Sequence, residues 1–380
     1  MLILTGLQAA PDQTTVKVNP SSHLTFKTQK GVYYQLEQKQ APTTNWTSVG
    51  PPVSGTGKDI EQHLKAAPDG NASKYRLRKL NKQWVMVWRD EFNGQRLDPA
   101  KWAREENGYG GGNNERQFYS TDEKYSQIKN GKLNISVYRD PYTTVDGKTQ
   151  PYTSARIRTL HRAQWKYGRF EIRAKMPHGQ GIWPAVWMLP SQSPYGGWAS
   201  SGEIDIIESR GSEVAKTTGA LHFGGEWPRN TYLAGEYSFP DKNSAQEFHT
   251  YTLEWNKDQI SWAVDGITYQ TIKKEQWHSE KADNKSSAPF DQAFHLIINV
   301  AVDGRFFNAT KQNSSQLPDS AFPQTLEVDY IRVYQWAEKG FADSLTCHSA
   351  RSIFHSCNAT RHVTPVAPAH AALYLRSRIV

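Results

Sequence analysis

Three carboxylates stand close together in residues 201–208, which read SGEIDIIE. If this segment is a strand, alternate residues share a face, so Glu203 and Asp205 point one way and the isoleucine between them points into an apolar layer. Glu208 is then out of phase by one residue. A β-bulge at the two isoleucines before Glu208 would return it to the carboxylate face, and bulges are common beside active sites.

A chemical role explains these three neighbouring carboxylates better than a structural role does. Like charges held side by side in a sheet destabilise it, and the structural alternative, a solvated charged edge, conflicts with the flanking isoleucines, which indicate burial on the opposite face. Cleavage of a glycosidic bond with retention needs a nucleophile and an acid/base, two carboxyl groups about 5 to 5.5 Å apart. We predict that Glu203 and Glu208 form this pair, with Asp205 between them sharing their protons. We expect Glu203 to stay ionised and Glu208 to stay protonated.

Strand patterns fill most of the chain that must position these residues. Between Trp84 and Trp336 they are separated by Gly, Pro and Asn with no helical period of useful length. This predicts an all-β sandwich of two antiparallel sheets over residues 84–336. Residues 14–80 contain a second set of short strands bounded by turn residues, which predicts a small β-sandwich module. We expect a spacer or docking module, with sugar binding as the alternative.

The two ends of the chain have different patterns. Residues 1–13 begin with a short apolar run that predicts the remnant of a signal peptide, and hence secretion. Residues 338–380 show no clear period, and we expect them to be mostly disordered, with no function assigned. Both cysteines, Cys347 and Cys357, lie in this tail, so residues 1–346 contain no thiol for metal, redox or nucleophilic chemistry.

The formal net charge of +8 is unevenly distributed. Residues 1–82 carry 11 Lys and Arg against 5 Asp and Glu, and residues 338–380 carry 5 against 2, so the middle of the chain is close to neutral. Because the basic character belongs to the flanks and no recognition motif is present, we expect no nucleic-acid partner. No apolar run approaches the ~20 residues that cross a bilayer, so we expect no membrane span.

Several further segments carry a resemblance to a known family. The chain is similar to glycoside hydrolase family 16 and, among its members, to the laminarinases, which are endo-acting β-1,3-glucanases. The resemblance covers about residues 84–336 and follows the family order of its segments. Those segments are WRDEFNG at 88–94, GGGNNE at 110–115, GIWPAVWMLP at 181–190, the acidic segment at 201–208, HFGGEWP at 222–228 and VDYIRVY at 328–334. It implies a β-jelly-roll sandwich with a sugar cleft on its concave face.

The resemblance also implies roles for individual residues. It makes Glu203 the nucleophile, Asp205 its helper and Glu208 the acid/base, and the offset of five residues matches the bulged branch of the family. Indole rings pack on sugar C–H faces and donate N–H groups to hydroxyls, and the alternative for each implied tryptophan or histidine contact is ordinary packing. The implied sugar contacts are Trp183, Trp187 and Trp198 as cleft aromatics, Asn113 and Arg156 near the cleaved bond, and His222 and Trp227 on the leaving-group side.

Many members of the family bind one calcium far from the catalytic residues. The similar positions here are Glu91, Gly131 and Asp329, which mix carboxylate and backbone oxygens as a hard cation prefers. The alternative is ordinary surface acids beside a turn glycine. We expect no cofactor for the chemistry itself. The chain departs from the laminarinases at residues 303–307, DGRFF, where they usually carry Gly-Gly and Trp-Pro, so we expect the cleft rim, and with it the substrate preference, to differ there.

Three alternatives remain at this point. The same fold serves enzymes that act on mixed-linkage glucan, agar or carrageenan. A lectin-like polysaccharide-binding protein would share the sandwich but would not need three carboxylates together. A nucleic-acid binder is suggested by the overall basic charge, but that charge lies in the flanks and no recognition motif appears. The prediction is a secreted, monomeric, retaining endo-glycosidase whose partner is a β-glucan such as laminarin.

Overall fold

The structure is a computed structural model that describes residues 13–14, 16–18, 23–30, 32–40, 45–49, 52–63, 73–240, 243–282, 287–307, 314 and 317–338. The predicted signal remnant at 1–13 and the predicted disordered tail at 338–380 lie almost entirely outside these residues. Within the described part of the chain, no helix is long and apolar enough to span a membrane.

The secondary structure is almost entirely strand. Short 3-10 helices occur at Gly110–Gly112, Glu123–Tyr125, Lys274–Gln276, Arg305–Phe307 and Asp319–Ala321. The strands are β1 Gln13–Thr14, β2 Val16–Val18, β3 His23–Lys27, β4 Tyr33–Gln40, β5 Thr47–Ser48, β6 Val53–Ser54, β7 Asp59–His63, β8 Ser73–Leu80, β9 Lys82–Asp90, β10 Ala103–Arg104, β11 Gln117–Tyr119, β12 Ser126–Lys129, β13 Lys132–Val137, β14 Tyr142–Thr143, β15 Thr149–Gln150, β16 Tyr152–Ser154, β17 Arg156–Arg158, β18 Gly168–Lys175, β19 Ile182–Pro190, β20 Glu203–Glu208, β21 Lys216–Gly224, β22 Asn230–Ser238, β23 His249–Trp255, β24 Gln259–Val264, β25 Ile267–Lys273, β26 Phe294–Val302 and β27 Gln324–Glu338.

Two large sheets form the body of the molecule. The first, called here the cleft sheet, has the strand order β10-β17-β26-β19-β20-β21-β22. The second, called the back sheet, has the order β12-β13-β27-β18-β23-β24-β25, with β9 also paired to β27. Neighbouring strands in both sheets are antiparallel. The predicted all-β sandwich of two antiparallel sheets, with the jelly-roll architecture, is confirmed.

Alternation of buried and exposed residues holds the two sheets together. In β18 the burial alternates at every step, so Phe170 and Ile172 are buried while Arg169 and Glu171 are partly exposed. The buried residues join one continuous core that also contains Ile204 of the cleft sheet. Each buried aliphatic or aromatic side chain contributes about 1.5 to 3 kcal/mol relative to exposure. The core therefore fixes which face of each strand is left for the cleft.

The described residues between 13 and 80 form smaller sheets with a core of their own. One sheet has the order β1-β8-β4-β5 with β6 on β4, and the other has the order β2-β3-β7. Their core contains Phe26, Tyr34, Leu36 and Leu77 and is separate from the main core. That residues 14–80 are a separate small β-sandwich module stays a prediction.

The module meets the sandwich closely. Strand β8 ends at Leu80 and β9 begins at Lys82, so one residue separates them. Tyr33 of β4 packs edge-on against Trp336 of β27 with ring centroids 4.8 Å apart, and Trp84 of β9 packs on the same indole at 5.1 Å. The described residues of the module and of the sandwich belong to one compact unit. The predicted boundary at residues 81–83 stays a prediction of where the chain can be divided.

Candidate active site

A β-bulge in β20 brings the three acidic side chains to one face, as the sequence predicted. On β19, Val186 pairs with Ile207 and Trp187 pairs with Asp205, which leaves Ile206 without a partner. On the other side, the register against β21 shifts by one residue between Asp205 and Glu208. Both bulge isoleucines are buried. The extra residue restores Glu208 to the face that carries Glu203 and Asp205.

The strand beside the bulge is shaped to receive it. Gly219 of β21 lies opposite the bulge, between the residues that pair with Asp205 and Glu208. A Cβ at Gly219 would lie 2.4 Å from Cδ1 of Trp262, so only glycine fits this position without a shift. The Trp262 Nε1–H donates a 2.8 Å hydrogen bond to the backbone oxygen of Asp205. The back sheet thus supports the acidic strand through the core.

Glu203 lies at one end of β20 against an indole. The Trp198 Nε1–H donates a 2.9 Å hydrogen bond to Glu203 Oε2. The other carboxylate oxygen lies 3.7 Å from Nε2 of His222, the residue that pairs with Glu203 across β21. These contacts orient the carboxylate toward the cleft.

Glu208 lies at the opposite end of β20 against a second indole. The Trp183 Nε1–H donates a 3.0 Å hydrogen bond to Glu208 Oε1. The Trp183 ring stacks on Phe306 with centroids 4.3 Å apart and planes 13° apart, and the Arg210 guanidinium lies 4.1 Å from the Phe306 ring centroid. Each of the two glutamates is therefore held by its own tryptophan.

Asp205 is the most enclosed of the three acids. It is 3% exposed, and its Oδ2 atom lies 3.3 Å from His222 Nε2 with no hydrogen-bond partner of good geometry among the described residues. His222 thus approaches both Asp205 and Glu203. A histidine in this position can stabilise negative charge on either carboxylate.

The surroundings raise the pKa of all three carboxyl groups. Burial, followed by the charge of Asp205, raises the pKa of Glu203 and of Glu208 to about 8, and burial alone raises the pKa of Asp205 to about 8. The same causes act on both glutamates, and each accepts one indole N–H, so the expected contrast between an ionised Glu203 and a protonated Glu208 stays a prediction. The trio shares its protons as a set.

A cleft of about 700 Å³ lies over these carboxylates. Nine of the ten predicted catalytic and sugar-binding residues line it: Glu203, Asp205, Glu208, Asn113, Arg156, Trp183, Trp187, Trp198 and Trp227. The tenth, His222, lies beside Asp205 and Glu203 but is not part of this lining. The structure thus brings together residues that are up to 114 positions apart, from Asn113 to Trp227.

Trp187 and Arg156 form one wall of the cleft. The Arg156 guanidinium lies 4.7 Å from the Trp187 ring centroid, and Arg156 Nε lies 3.2 Å from Oε2 of Glu105. The Trp187 Nε1–H donates a 2.7 Å hydrogen bond to Asn299 Oδ1. Trp187 therefore faces the cleft rather than the sandwich core, which settles the alternative left open by its sequence position.

Trp227 and Asn113 lie at the rims. Trp227 is 63% exposed, and its backbone N–H donates a 3.0 Å hydrogen bond to the Trp198 oxygen. The Arg305 guanidinium lies 5.8 Å from the Trp227 ring centroid, and the Arg305 backbone N–H donates to the Asn113 oxygen at 2.8 Å. Asn113 Nδ2 is 3.4 Å from Oε1 of Glu115. The departure from the laminarinase pattern at 303–307 therefore lies on the cleft rim.

Sequence reasoning missed several lining residues, chiefly Asn299. Its side chain accepts from Trp187 and donates a 3.0 Å hydrogen bond to the Tyr119 hydroxyl. Asn299 is the polar residue inside the apolar run LIINVAV at 296–302 of β26. A lone amide in a fully buried strand needs partners, and that signal was available. Glu115 and Tyr119 carry no comparable local signal.

The three predicted calcium positions do not form a side-chain ligand cluster. The Glu91 carboxylate accepts two 2.8 Å hydrogen bonds from Arg332, which lowers its pKa. Asp329 Oδ2 lies 3.3 Å from Arg173 Nε, and Gly131 lies beside Asn93. Carboxylates already paired with guanidinium groups fit a calcium ion poorly. The calcium prediction rests on the resemblance, and thermal unfolding with calcium and with a chelator tests it: a ligand of the folded state raises the melting temperature.

Comparison with known proteins agrees with this geometry. Residues 113–332 match the model of glycosyl hydrolases family 16. The chain is similar to glucan endo-1,3-beta-glucosidase A1 of Niallia circulans, with 41% identity over 261 residues, 66% of this chain and 38% of that protein. It is similar to a glucan endo-1,3-beta-glucosidase of Cryptopygus antarcticus, with 40% identity over 67% of this chain and 93% of that protein. The X-ray structure of the laminarinase from Rhodothermus marinus matches with a TM-score of 0.59 and 40% identity, covering 68% of this chain and 99% of that one. With the acidic strand and the cleft in place, these matches show that the chain belongs to glycosyl hydrolases family 16.

Proposed function

We propose that this protein is a retaining endo-glycoside hydrolase that cleaves internal bonds of a β-1,3-glucan by double displacement. The observation that carries the proposal is the pair of glutamates facing one cleft, each oriented by a tryptophan N–H. Retention requires a nucleophile and an acid/base on the same stretch of substrate. The names of the similar proteins support the choice of glucan.

In the first half of the reaction, Glu203 attacks the anomeric carbon as the glycosidic bond breaks. Glu208 gives its proton to the departing oxygen, so the leaving chain departs with a hydroxyl group. This forms a covalent glycosyl-enzyme ester at Glu203 and leaves Glu208 ionised. In the second half, Glu208 takes a proton from water, the resulting hydroxide oxygen attacks the same carbon, and Glu203 is released as a carboxylate.

Asp205 and His222 set the electrostatic surroundings of the two glutamates during this cycle. Because their pKa values are raised, the three carboxyl groups of the free cleft keep protons at pH values well above those at which carboxyl groups usually ionise. Glu203 must be ionised to attack while Glu208 keeps its proton, and His222 lies within 3.7 Å of both Glu203 and Asp205 to offset their charge. The rate should fall as pH rises through about 8, because the acid then loses its proton.

Proton NMR of early products tests the stereochemistry. Two displacements at one carbon preserve its configuration, so the β-anomer of the new reducing end should form first and convert later to the equilibrium mixture. If the α-anomer forms first, the reaction inverts and the pairing of Glu203 with Glu208 is wrong.

Initial rates on a panel of polysaccharides test the substrate. Laminarin should be the best, mixed-linkage glucan second, and agarose and carrageenan poor, since the middle of the chain is nearly neutral and offers no general attraction for sulfated chains. Arg305 on the rim is the feature that favours an anionic galactan. A clear preference for either galactan would change the substrate and leave the mechanism standing. Binding to laminarin without turnover of any polysaccharide would favour the lectin-like alternative.

We also propose that the protein is secreted and acts as a monomer, with no cofactor for the chemistry. A polymer substrate outside the cell requires an enzyme that reaches it, and one cleft holds all the proposed catalytic residues. Activity in the culture medium of the producing cells and the molar mass of the eluted protein measure these two points.

A further inference from the structure

An exposed tyrosine continues the cleft sheet beyond the residues already described. Glu203 of β20 pairs with His222 of β21, and His222 pairs with Tyr232 of β22. The three residues therefore stand side by side across three neighbouring strands. Among the described strands, β22 is the last of the cleft sheet on this side. Tyr232 is thus the outermost member of the row.

The side chain of Tyr232 lies on the cleft face of the sheet. Alternate residues of a strand point to opposite faces, and Leu233 packs against the sandwich core. Tyr232 and Ala234 therefore share the other face, the one that carries His222. Ala234 is exposed and small, so it leaves the neighbouring ring accessible.

The rings in this row lead outward from the nucleophile. Trp198 donates its hydrogen bond to Glu203, and its ring centroid is 5.6 Å from that of His222. The His222 ring is in turn 5.6 Å from the Tyr232 ring, with the two planes 27° apart. The two ends of the row are exposed, Trp198 to 40% and Tyr232 to 61%. The aromatic surface therefore continues to the edge of the sheet, beyond the residues that line the cleft.

An exposed aromatic ring in this position suits a sugar. A pyranose presents C–H groups on its faces, which pack on aromatic rings, while the tyrosine hydroxyl can bond to sugar hydroxyls. We propose that Tyr232 is a sugar-binding platform that takes a pyranose ring of the leaving-group side of the glucan, farther from the cleaved bond than the ring next to His222. This inference rests on the proposed function and extends its binding site by one strand.

Chain-length dependence of the kinetics tests the platform. On long laminarin chains, Tyr232→Ala should raise KM about threefold to tenfold with little change in kcat, the range expected for loss of one aromatic contact. Short laminari-oligosaccharides that end before the platform should be cleaved with unchanged KM. Tyr232→Phe keeps the ring and should stay near the parent enzyme on both. Thr231→Ala, on the same strand with its side chain on the other face, is the matched control and should change neither.

The remaining outcomes separate failure of the platform proposal from failure of the proposed function. Equal KM values for Tyr232→Ala and the parent enzyme on long chains would remove the platform while leaving the hydrolase intact. If Tyr232→Ala raised KM equally on short and long chains, the role of Tyr232 would be structural. If the parent protein turns over no β-glucan, the proposed function fails. Calorimetric binding of long and short glucan chains by the parent and by Tyr232→Ala then measures the platform without catalysis.

Discussion

At the scale of single residues, the contact between Trp198 and Glu203 makes the sharpest prediction. Glu203→Gln keeps an oxygen that can accept the Trp198 N–H, so the cleft should keep its shape while the nucleophile is lost. We expect kcat on laminarin to fall on the order of 10⁴-fold or more, with glucan affinity nearly unchanged. Steady-state kinetics and calorimetry measure the two quantities. A variant that keeps the parent rate would show that Glu203 is not the nucleophile.

Glu208 has a separate signature, because its role in the second half-reaction can be bypassed. Glu208→Ala should stop hydrolysis of ordinary sugar leaving groups, since no acid protonates the departing oxygen. On a substrate with an activated leaving group, azide should enter the space of the removed carboxyl group and restore part of the rate as a β-glycosyl azide. Product analysis by NMR measures this. Absence of any azide product would argue against the acid/base assignment.

The buried acid Asp205 links stability to pH. Its folded-state pKa of about 8 is above the value of about 4 in an unfolded chain. The folded protein thus binds more protons between these values, and the stabilisation present below pH 4 is lost as pH rises toward 8. Asp205→Asn removes this loss. We compare the free energy of unfolding of the variant with that of the parent. This difference should be roughly 1 kcal/mol or more in favour of the variant at pH 8, relative to its value at pH 4.

Thermal or urea unfolding at both pH values measures that difference. Glu236→Gln is the matched control, because Glu236 lies on β22 with a side chain 42% exposed and paired with Lys216. It should show no such pH-dependent gain. A constant difference between Asp205→Asn and the parent across the range would mean that Asp205 is ionised normally in the folded protein.

At the scale of elements, the bulge in β20 controls the site. Ile206 has no partner on β19, so its deletion leaves a regular strand in which Glu203, Asp205 and Glu208 still alternate onto one face. Insertion of one alanine after Ile206 instead places Glu203 and Glu208 six residues apart. If the bulge stays, Glu208 turns toward the core, and if the strand becomes regular, Glu208 moves two residues, about 7 Å, farther from Glu203. We expect the deletion to cost about 2 to 4 kcal/mol for the lost buried side chain and about 10²-fold in rate for a small misplacement.

The insertion should lose activity as completely as Glu203→Gln does. Unfolding curves and laminarin kinetics on both variants make the comparison. The interpretation of the bulge would have to be abandoned if the insertion were the more active of the two.

At the scale of the whole molecule, the small module should be removable. Deletion of residues 1–80 should leave activity on soluble glucan nearly unchanged, since the cleft residues lie between 111 and 305. It should also lower the melting temperature by a few degrees, because the edge-on contact of Tyr33 with Trp336 contributes about 0.5 to 1.5 kcal/mol. Tyr33→Ala in the full chain should reproduce part of this shift. Failure of the shortened chain to fold would show that the boundary at 81–83 is misplaced.

The sequence determined the acidic strand, its bulge and the all-β architecture, because each depends on local periodicity. Residues alternate between faces in a strand, so the phase of Glu203, Asp205 and Glu208 could be worked out from spacing alone. The family resemblance supplied the distant partners Asn113, Arg156 and Trp227, whose own surroundings in the chain carry no chemical signal. Its order of segments along the chain was enough to place them at one cleft.

Tertiary structure decided how these residues act on one another. Trp187 faces the cleft because Asn299, 112 positions away, accepts its N–H, and neither spacing nor composition distinguishes that from a core position. The rise in the pKa of both Glu203 and Glu208 follows chiefly from burial, which depends on the placement of Trp183 of β19 and of Trp198 against them. The row from Glu203 through His222 to Tyr232 exists only in the register of three strands. Pairing between strands is a long-range property, and one residue of shift would place Tyr232 on the opposite face.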